Sequence, residues 1–272
     1  PLEVKNLPFC TEPKFNTDGT SNDIDARVKS LIQKALSIYY LDEKKLSDLK
    51  PDIIITQTQC EVCAVSLEEV QESLTLVASI SPKIISIEQN NLNDIWNSVE
   101  VISSALRAES SGISLVDKMK SNLIELNHKV QHFDTKSIAC IEWIEPLMAA
   151  GNWVPELVEQ AGGINLFGVA GKHSPWIDPK ELFRLDPEII IVMPCGYGLN
   201  KSLQEMGGLT NISGWEKLSA VKKNQIYIAD GNQYFNRPGP RLINSLEILI
   251  EIIHSGRISF GHKGKGWIRY NL

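Results

Sequence analysis

The stretch Leu49-Lys50-Pro51-Asp52-Ile53-Ile54-Ile55 returns almost unchanged as Leu185-Asp186-Pro187-Glu188-Ile189-Ile190-Ile191. In each copy a helical pattern stops at a proline, whose ring disfavours the helical conformation of the residue before it. A run of isoleucines follows, apolar on both faces, which is the pattern of a buried parallel strand. Two copies of the same helix-to-strand unit indicate an internal duplication and therefore an α/β chain of two similar, Rossmann-like lobes. A cleft between lobes is a common place for a small-molecule site.

Outward from these two anchors the same alternation continues. Residues 1–22 are polar and carry Pro8, Pro13 and Gly19, which suits an irregular lead-in. Ile24, Val28, Leu31, Ile32, Ala35, Leu36 and Ile38 recur at helical spacing, so residues 23–49 are expected to be helix and 53–56 strand. Ser66-Leu67-Glu68-Glu69 has capping-box spacing and should open a helix to about residue 78. A short strand is expected at 83–87. Residues 92–130 contain no proline and keep a helical apolar pattern, with a break expected at Ser110-Ser111-Gly112. The later part, about 20 residues or roughly 30 Å, is long enough to bridge two lobes. The division is then an N-terminal lobe at 1–109, an interlobe helix at 110–134 and a C-terminal lobe at 135–272. Within the last, strands are expected at 137–142, 189–193 and 225–229, and helices at 153–161, 179–184, 203–206 and 241–254. The Gly- and Lys-rich tail from Ser255 has no assigned place.

A chain of 272 residues suffices for two modest lobes. Its formal charge of -6, without a Lys/Arg run, argues against nucleic acid or an anionic membrane surface as the main partner. The sequence opens on Pro1 rather than Met, which leaves room for a segment upstream. Five scattered cysteines do not make a disulfide framework and favour a reducing compartment, hence the cytoplasm over the periplasm.

In parallel sheets ligands bind beyond the carboxyl ends of the strands. The loops expected there are 57–63, 143–153, 194–198 and 231–237. They gather Trp143, Asn152, Trp153, Tyr197, Tyr234, Phe235 and Arg237, a mixture suited to gripping a large, flat, partly apolar ligand with amide side groups. Each aromatic taken singly also suits a packed core. Gly196-Tyr197-Gly198 lacks the Gly-Lys-Ser/Thr of a phosphate loop and reads as a turn. Cys60 and Cys63 admit a metal or redox role, or that of buried or lip-forming thiols. No second Cys pair follows, and the expected helix cap is Ser66 rather than Cys60. His173, beside Trp176, is competent as a cobalt or iron ligand.

Trp153-Val154-Pro155-Glu156 through Ala161-Gly162-Gly163, the pair Pro175-Trp176, and Tyr234-Phe235-Asn236-Arg237-Pro238-Gly239-Pro240-Arg241 together resemble the cobalamin-binding, vitamin B12 transport-type substrate-binding proteins. These form part of the class III periplasmic-binding-protein superfamily, the helical-backbone metal receptors, which also holds siderophore and haem receptors. The resemblance runs from about Pro1 to His254. The segment Gln57-Thr58-Gln59-Cys60-Glu61-Val62-Cys63 is closest to a branch often seen without a secretion signal. The family's first strand and helix have no counterpart, so the chain reads as N-terminally truncated.

The resemblance implies that Trp176, Tyr234, Phe235 and Arg237 contact a corrin ring, with Asn152 and Trp153 at the mouth of the same site. It implies a monomeric binding protein, not an enzyme, that holds cobalamin as ligand without a catalytic cofactor. An ABC permease is its expected partner. The rivals are a ferric siderophore or haem receptor, and a redox or metal enzyme using Cys60, Cys63 and His173.

Overall fold

The computed structural model describes residues 6–34, 38–58, 65, 67–76 and 81–271. The chain is a mixed α/β protein that forms two compact units, 1–88 and 89–272.

In the first unit, β1 (Thr11–Pro13) pairs antiparallel with β2 (Tyr39–Leu41), flanking α1 (Ser21–Gln33). The lead-in therefore holds a strand, and the helix expected over 23–49 is divided. Thr20 and Asp23 form a reciprocal capping box at the start of α1. Tyr39-Tyr40-Leu41 favours strand over helix, and Asp42 then starts α2 (Glu43–Leu49) by accepting the Lys45 N–H at 2.8 Å. Next come β3 (Ile53–Gln57), α3 (Leu67–Leu76) and β4 (Lys83–Ile87), with β3 and β4 parallel. Cys60, Cys63 and Ser66 lie outside the described residues.

The second unit opens with α4 (Leu92–Ala105) and α5 (Glu109–Val130). The break falls at residues 106–108, where Arg107 adopts φ 55°, and not at Gly112. Gly112 lies inside α5 because the two helices meet there: a Cβ on it would sit 1.9 Å from Ser103 Oγ. We expect Gly112→Ala to destabilise the protein by about 1–3 kcal/mol through overpacking. Ser103→Gly should recover part of that loss in a double-mutant cycle read by urea unfolding. Helix α5 packs on α4 and on two later helices of the second unit, so contacts divide the chain after Glu88, earlier than residue 109.

The remaining elements are β5 (Lys136–Trp143), β6 (Met148–Ala149), α6 (Val154–Gln160), β7 (Gly163–Asn165), α7 (Pro179–Leu185), β8 (Ile189–Val192), α8 (Leu199–Glu205), α9 (Gly207–Thr210), α10 (Ser219–Lys222), β9 (Ile226–Ala229), α11 (Leu242–Ile253) and β10 (Trp267–Arg269). A six-stranded sheet runs β10-β9-β8-β5-β6, with β7 also beside β5. Strands β7, β5, β8 and β9 are parallel, and β6 and β10 are antiparallel edges.

Strand β8 is enclosed on both faces. Ile189 and Ile191 face a core that includes α5, α6 and α11, whereas Ile190 and Val192 face one built from Leu182, Met206, Leu209 and Trp215. Its counterpart β3 pairs with β4 alone among the described strands and leaves Ile55 44% exposed. The same apolar run is thus fully buried in one copy and half-covered in the other.

The duplication extends beyond the quoted phrase. Both α2 and α7 begin at an aspartate cap, Asp42 or Asp178, whose carboxylate accepts a backbone N–H at 2.8 Å. Each buries one leucine, Leu46 or Leu182, and ends on a left-handed residue, Lys50 at φ 46° or Asp186 at φ 43°. The N–H of that last residue returns to the buried leucine's carbonyl, and the proline follows. The two isoleucine runs lie in separate sheets.

Candidate functional site

Because β5, β8 and β9 are parallel, their carboxyl ends lie along one edge of the sheet. The loops leaving them are joined by backbone geometry that only small residues allow. In the loop after β6, the Gly151 N–H donates to Ser174 Oγ at 3.1 Å, and that hydroxyl donates to Glu142 Oε2 at 2.8 Å. A Cβ on Gly151 would lie 2.6 Å from the Lys172 carbonyl oxygen. Asn152, at φ 53°, donates its N–H to Lys172 O at 2.7 Å and accepts from Gly171 N at 3.1 Å. The 143–153 and 168–178 loops are therefore stitched into one lip.

That lip carries a cross-strand ladder. Trp143 is opposite Met148 in the β5–β6 pair, and Met148 forms an antiparallel bridge with Trp176. Residues directly opposite one another across antiparallel strands project from the same face, so Trp143, Met148 and Trp176 form a continuous row. Trp176 stands 56% exposed at its end. At the other end the Trp143 ring meets the Tyr197 ring, with centroids 5.4 Å apart and planes tilted by 55°. Lys201 Nζ lies 4.3 Å from the Tyr197 centroid. The Trp143 indole N–H is held by the Glu145 carbonyl at 3.1 Å, which fixes the ring's orientation.

The loop after β9 joins the same edge. Asn232 donates its N–H to Tyr197 O at 3.1 Å, and the exposed Arg237 guanidinium donates to Asn232 O at 2.7 Å and to its Oδ1 at 3.0 Å. This approach requires glycine at 231, where a Cβ would lie 2.2 Å from the Pro194 carbonyl oxygen. Apolar surface from Trp176, Met148 and Trp143, backed by the buried Tyr197 ring, thus runs into a polar end formed by Lys201, Asn232 and Arg237. Beside Tyr197 lies a depression of about 380 Å³, lined by Gly198, Lys201, Asp230 and Lys265 among others.

The structure therefore joins Trp143, Trp176 and Arg237 to one lip, with the Tyr197 ring, 4% exposed, packed behind Trp143. It places Trp153 and Phe235 in the core, 5% and 1% exposed, where they anchor the loops rather than offer surface. Tyr234 is half-buried, its ring edge-on to His262 at 6.1 Å and its carbonyl accepting from Ser245 Oγ at 2.7 Å. Asn152 contributes its backbone to the lip. His173 is exposed on the lip, its Nδ1 3.0 Å from the Ser174 carbonyl. Among the described residues, no group of three or more His, Cys, Asp or Glu is placed to hold a metal ion.

Met148 and the full role of Trp143 escaped the sequence reading. The signal is tertiary, because the row exists only once the short hairpin β5–β6 and the bridge to Trp176 have formed.

The sequence profile of a family described as "Periplasmic binding protein" matches residues 15–232. An uncharacterized ABC transporter substrate-binding lipoprotein of Bacillus subtilis is 23% identical over 241 residues, covering 86% of this chain and 72% of the relative. A vitamin B12-binding protein of Vibrio cholerae is 21% identical over 209 residues, covering 75% and 68%. Among solved structures, the haem complex of the S. aureus protein IsdE superposes with a TM-score of 0.64 at 15% identity, covering 79% of this chain and 81% of that one.

These matches overturn the expectation of a cytoplasmic location, since the family is described as periplasmic and the B. subtilis relative is a lipoprotein. The expectation rested on cysteines that form no framework, yet unpaired thiols need no reducing compartment when they are inert. Cys140 is fully enclosed in β5, and burial, with Glu142 nearby, pushes its thiol up to about 12.

Proposed function

Because the chain belongs to the periplasmic binding protein family, we propose that it is an ABC-type substrate-binding protein whose ligand is a large, flat ring of the cobalamin class. The observation that carries this reading is the row Trp143–Met148–Trp176 at one edge of the sheet, backed by the buried Tyr197 ring. An apolar ring face stacks on such a row, while Arg237, Asn232 and Lys201 at its polar end meet amide or anionic side groups. The similarity to a B12-binding relative supports the same class. The lip is stitched by backbone hydrogen bonds and tight glycines, so little ordering accompanies binding. The protein holds its ligand without converting it and passes it to an ABC permease.

A second reading, a haem or ferric-chelate carrier, is favoured by His173, whose imidazole lies exposed on the same lip. Titration with cyanocobalamin, haemin and a ferric hydroxamate, each followed by gel filtration and absorbance of the protein peak, separates the two. We expect the corrin spectrum to travel with the protein. Retention of haemin or the ferric chelate alone selects the second reading, and retention of none of the three refutes both.

A further inference from the structure

We infer that the carboxyl-terminal tail forms a second ligand site, selective for phosphate groups and separate from the aromatic lip. Residues 255–272 contain no Asp or Glu but carry Arg257, Lys263, Lys265 and Arg269, in a chain whose net charge is -6. Glu251 holds this segment in place. Its Oε1 accepts backbone N–H groups from Phe260, Gly261 at 2.7 Å and His262 at 3.2 Å, and its Oε2 accepts the Trp267 indole N–H at 2.5 Å. Between the folded-back tail and the end of α11 lies a cleft of about 680 Å³.

Three cations line that cleft: Arg257, Lys263 and Arg269, with the hydroxyls of Ser255 and Ser259. Each cation lies against an aromatic ring, and none of the three forms an ion pair with an acid among the described residues. Arg257 lies 4.9 Å from the Phe133 centroid, Lys263 lies 5.9 Å from that of Trp267, and Arg269 lies 5.2 Å from that of Tyr227. Arg269 also donates to Tyr227 Oη at 2.9 Å and to Ser255 Oγ at 3.3 Å, which aims its guanidinium while leaving further N–H donors for a guest. Glu251, the acid in the lining, has its carboxylate occupied by the tail's own N–H groups.

The negative end of the α11 dipole would oppose an anion here, but Lys136 Nζ covers the Ile253 carbonyl at 2.8 Å. Two planar guanidiniums and an ammonium around one cleft match a doubly or triply charged phosphate group better than a single carboxylate. The volume admits an organic phosphate or the headgroup of an anionic phospholipid.

Two probes distinguish these sources: inorganic pyrophosphate by isothermal titration, and co-sedimentation with phosphatidylcholine vesicles containing one-third phosphatidic acid, whose headgroup is a phosphomonoester. The full chain is expected to bind at least one probe, more weakly as salt rises. The double variant Arg257→Glu/Lys263→Glu alters exposed side chains and should keep its circular dichroism and its binding at the aromatic lip. It should lose affinity for the probe by about tenfold or more, the effect of about 1.4 kcal/mol. Lys265→Glu, outside the cleft lining, should change affinity by less than about threefold. Binding of pyrophosphate identifies a soluble phosphate as the guest, and binding of vesicles alone identifies a lipid headgroup. No binding of either probe, or equal binding by the folded double variant, overturns the inference.

Discussion

Glu251→Ala is expected to cost about 3–5 kcal/mol of stability, because several N–H donors lose their shared acceptor, at about 1–3 kcal/mol for each buried donor left unsatisfied. Glu251 is 2% exposed in the last turn of α11, a helix whose other buried residues are Ser245 and aliphatic side chains. Its carboxylate gathers the N–H groups of Phe260, Gly261 and His262 and the indole of Trp267. Alanine would leave these donors unmatched or force the tail off β9, exposing Trp267, which is 4% exposed and edge-on to Tyr227 at 5.5 Å. Urea unfolding followed by tryptophan fluorescence measures the loss. A change below about 1 kcal/mol would show that the tail is not fastened by this residue.

The same residue sets a pH dependence. Burial pushes the Glu251 carboxyl up, but its four hydrogen bonds outweigh that and hold it below the usual carboxylate range. A depressed carboxylate stabilises the fold fully above the unfolded value, about 4.3, and that contribution is lost as pH falls through the folded value. Glu251→Gln should therefore flatten the acid limb of stability below about pH 4–5. His254 acts in a higher window. Burial lowers its pKa even though its Nε2 lies 2.8 Å from the Ala161 carbonyl, so its share of stability falls as pH drops below about 6.5.

The second large effect concerns the ligand. Trp176→Ala should weaken binding of the retained ring compound by about 30-fold, the roughly 2 kcal/mol expected of an aromatic hot-spot residue. Its side chain is 56% exposed and its bridge to Met148 is made by the backbone, so unfolding stability should move by no more than about 1 kcal/mol. Trp176→Phe should recover most of the affinity, which a contribution from the indole N–H alone would not allow. Unchanged affinity in Trp176→Ala would remove the aromatic row from the site.

Much of the candidate site was legible because glycine, proline and exposed aromatics concentrate in the loops that leave parallel strands. Arg237 and Tyr197 stand in such loops, Tyr197 as the buried support of Trp143, whereas Trp176 was marked only by the resemblance of Pro175-Trp176 to the family. Trp153 and Phe235 carry the same residue chemistry, yet the structure buries them among α6, α11 and β9. No local pattern separates the two groups, because residue type reports apolar area and not the direction in which a loop turns. The alignment of Trp143 and Met148 with Trp176 was hidden for the opposite reason: it depends on two antiparallel pairings that bring distant segments into register.

The sequence by itself determined the duplicated helix-to-strand unit. Proline stops the helix, aspartate caps it and isoleucine runs choose strand, all through interactions between near neighbours. Only the tertiary structure decided that β8 lies enclosed while β3 keeps one isoleucine in the open, that Gly112 sits within a helix and that the tail folds back onto Glu251. Those outcomes depend on sheet width, on the close approach of two helices and on a buried charge finding its donors, and each joins residues far apart in the chain.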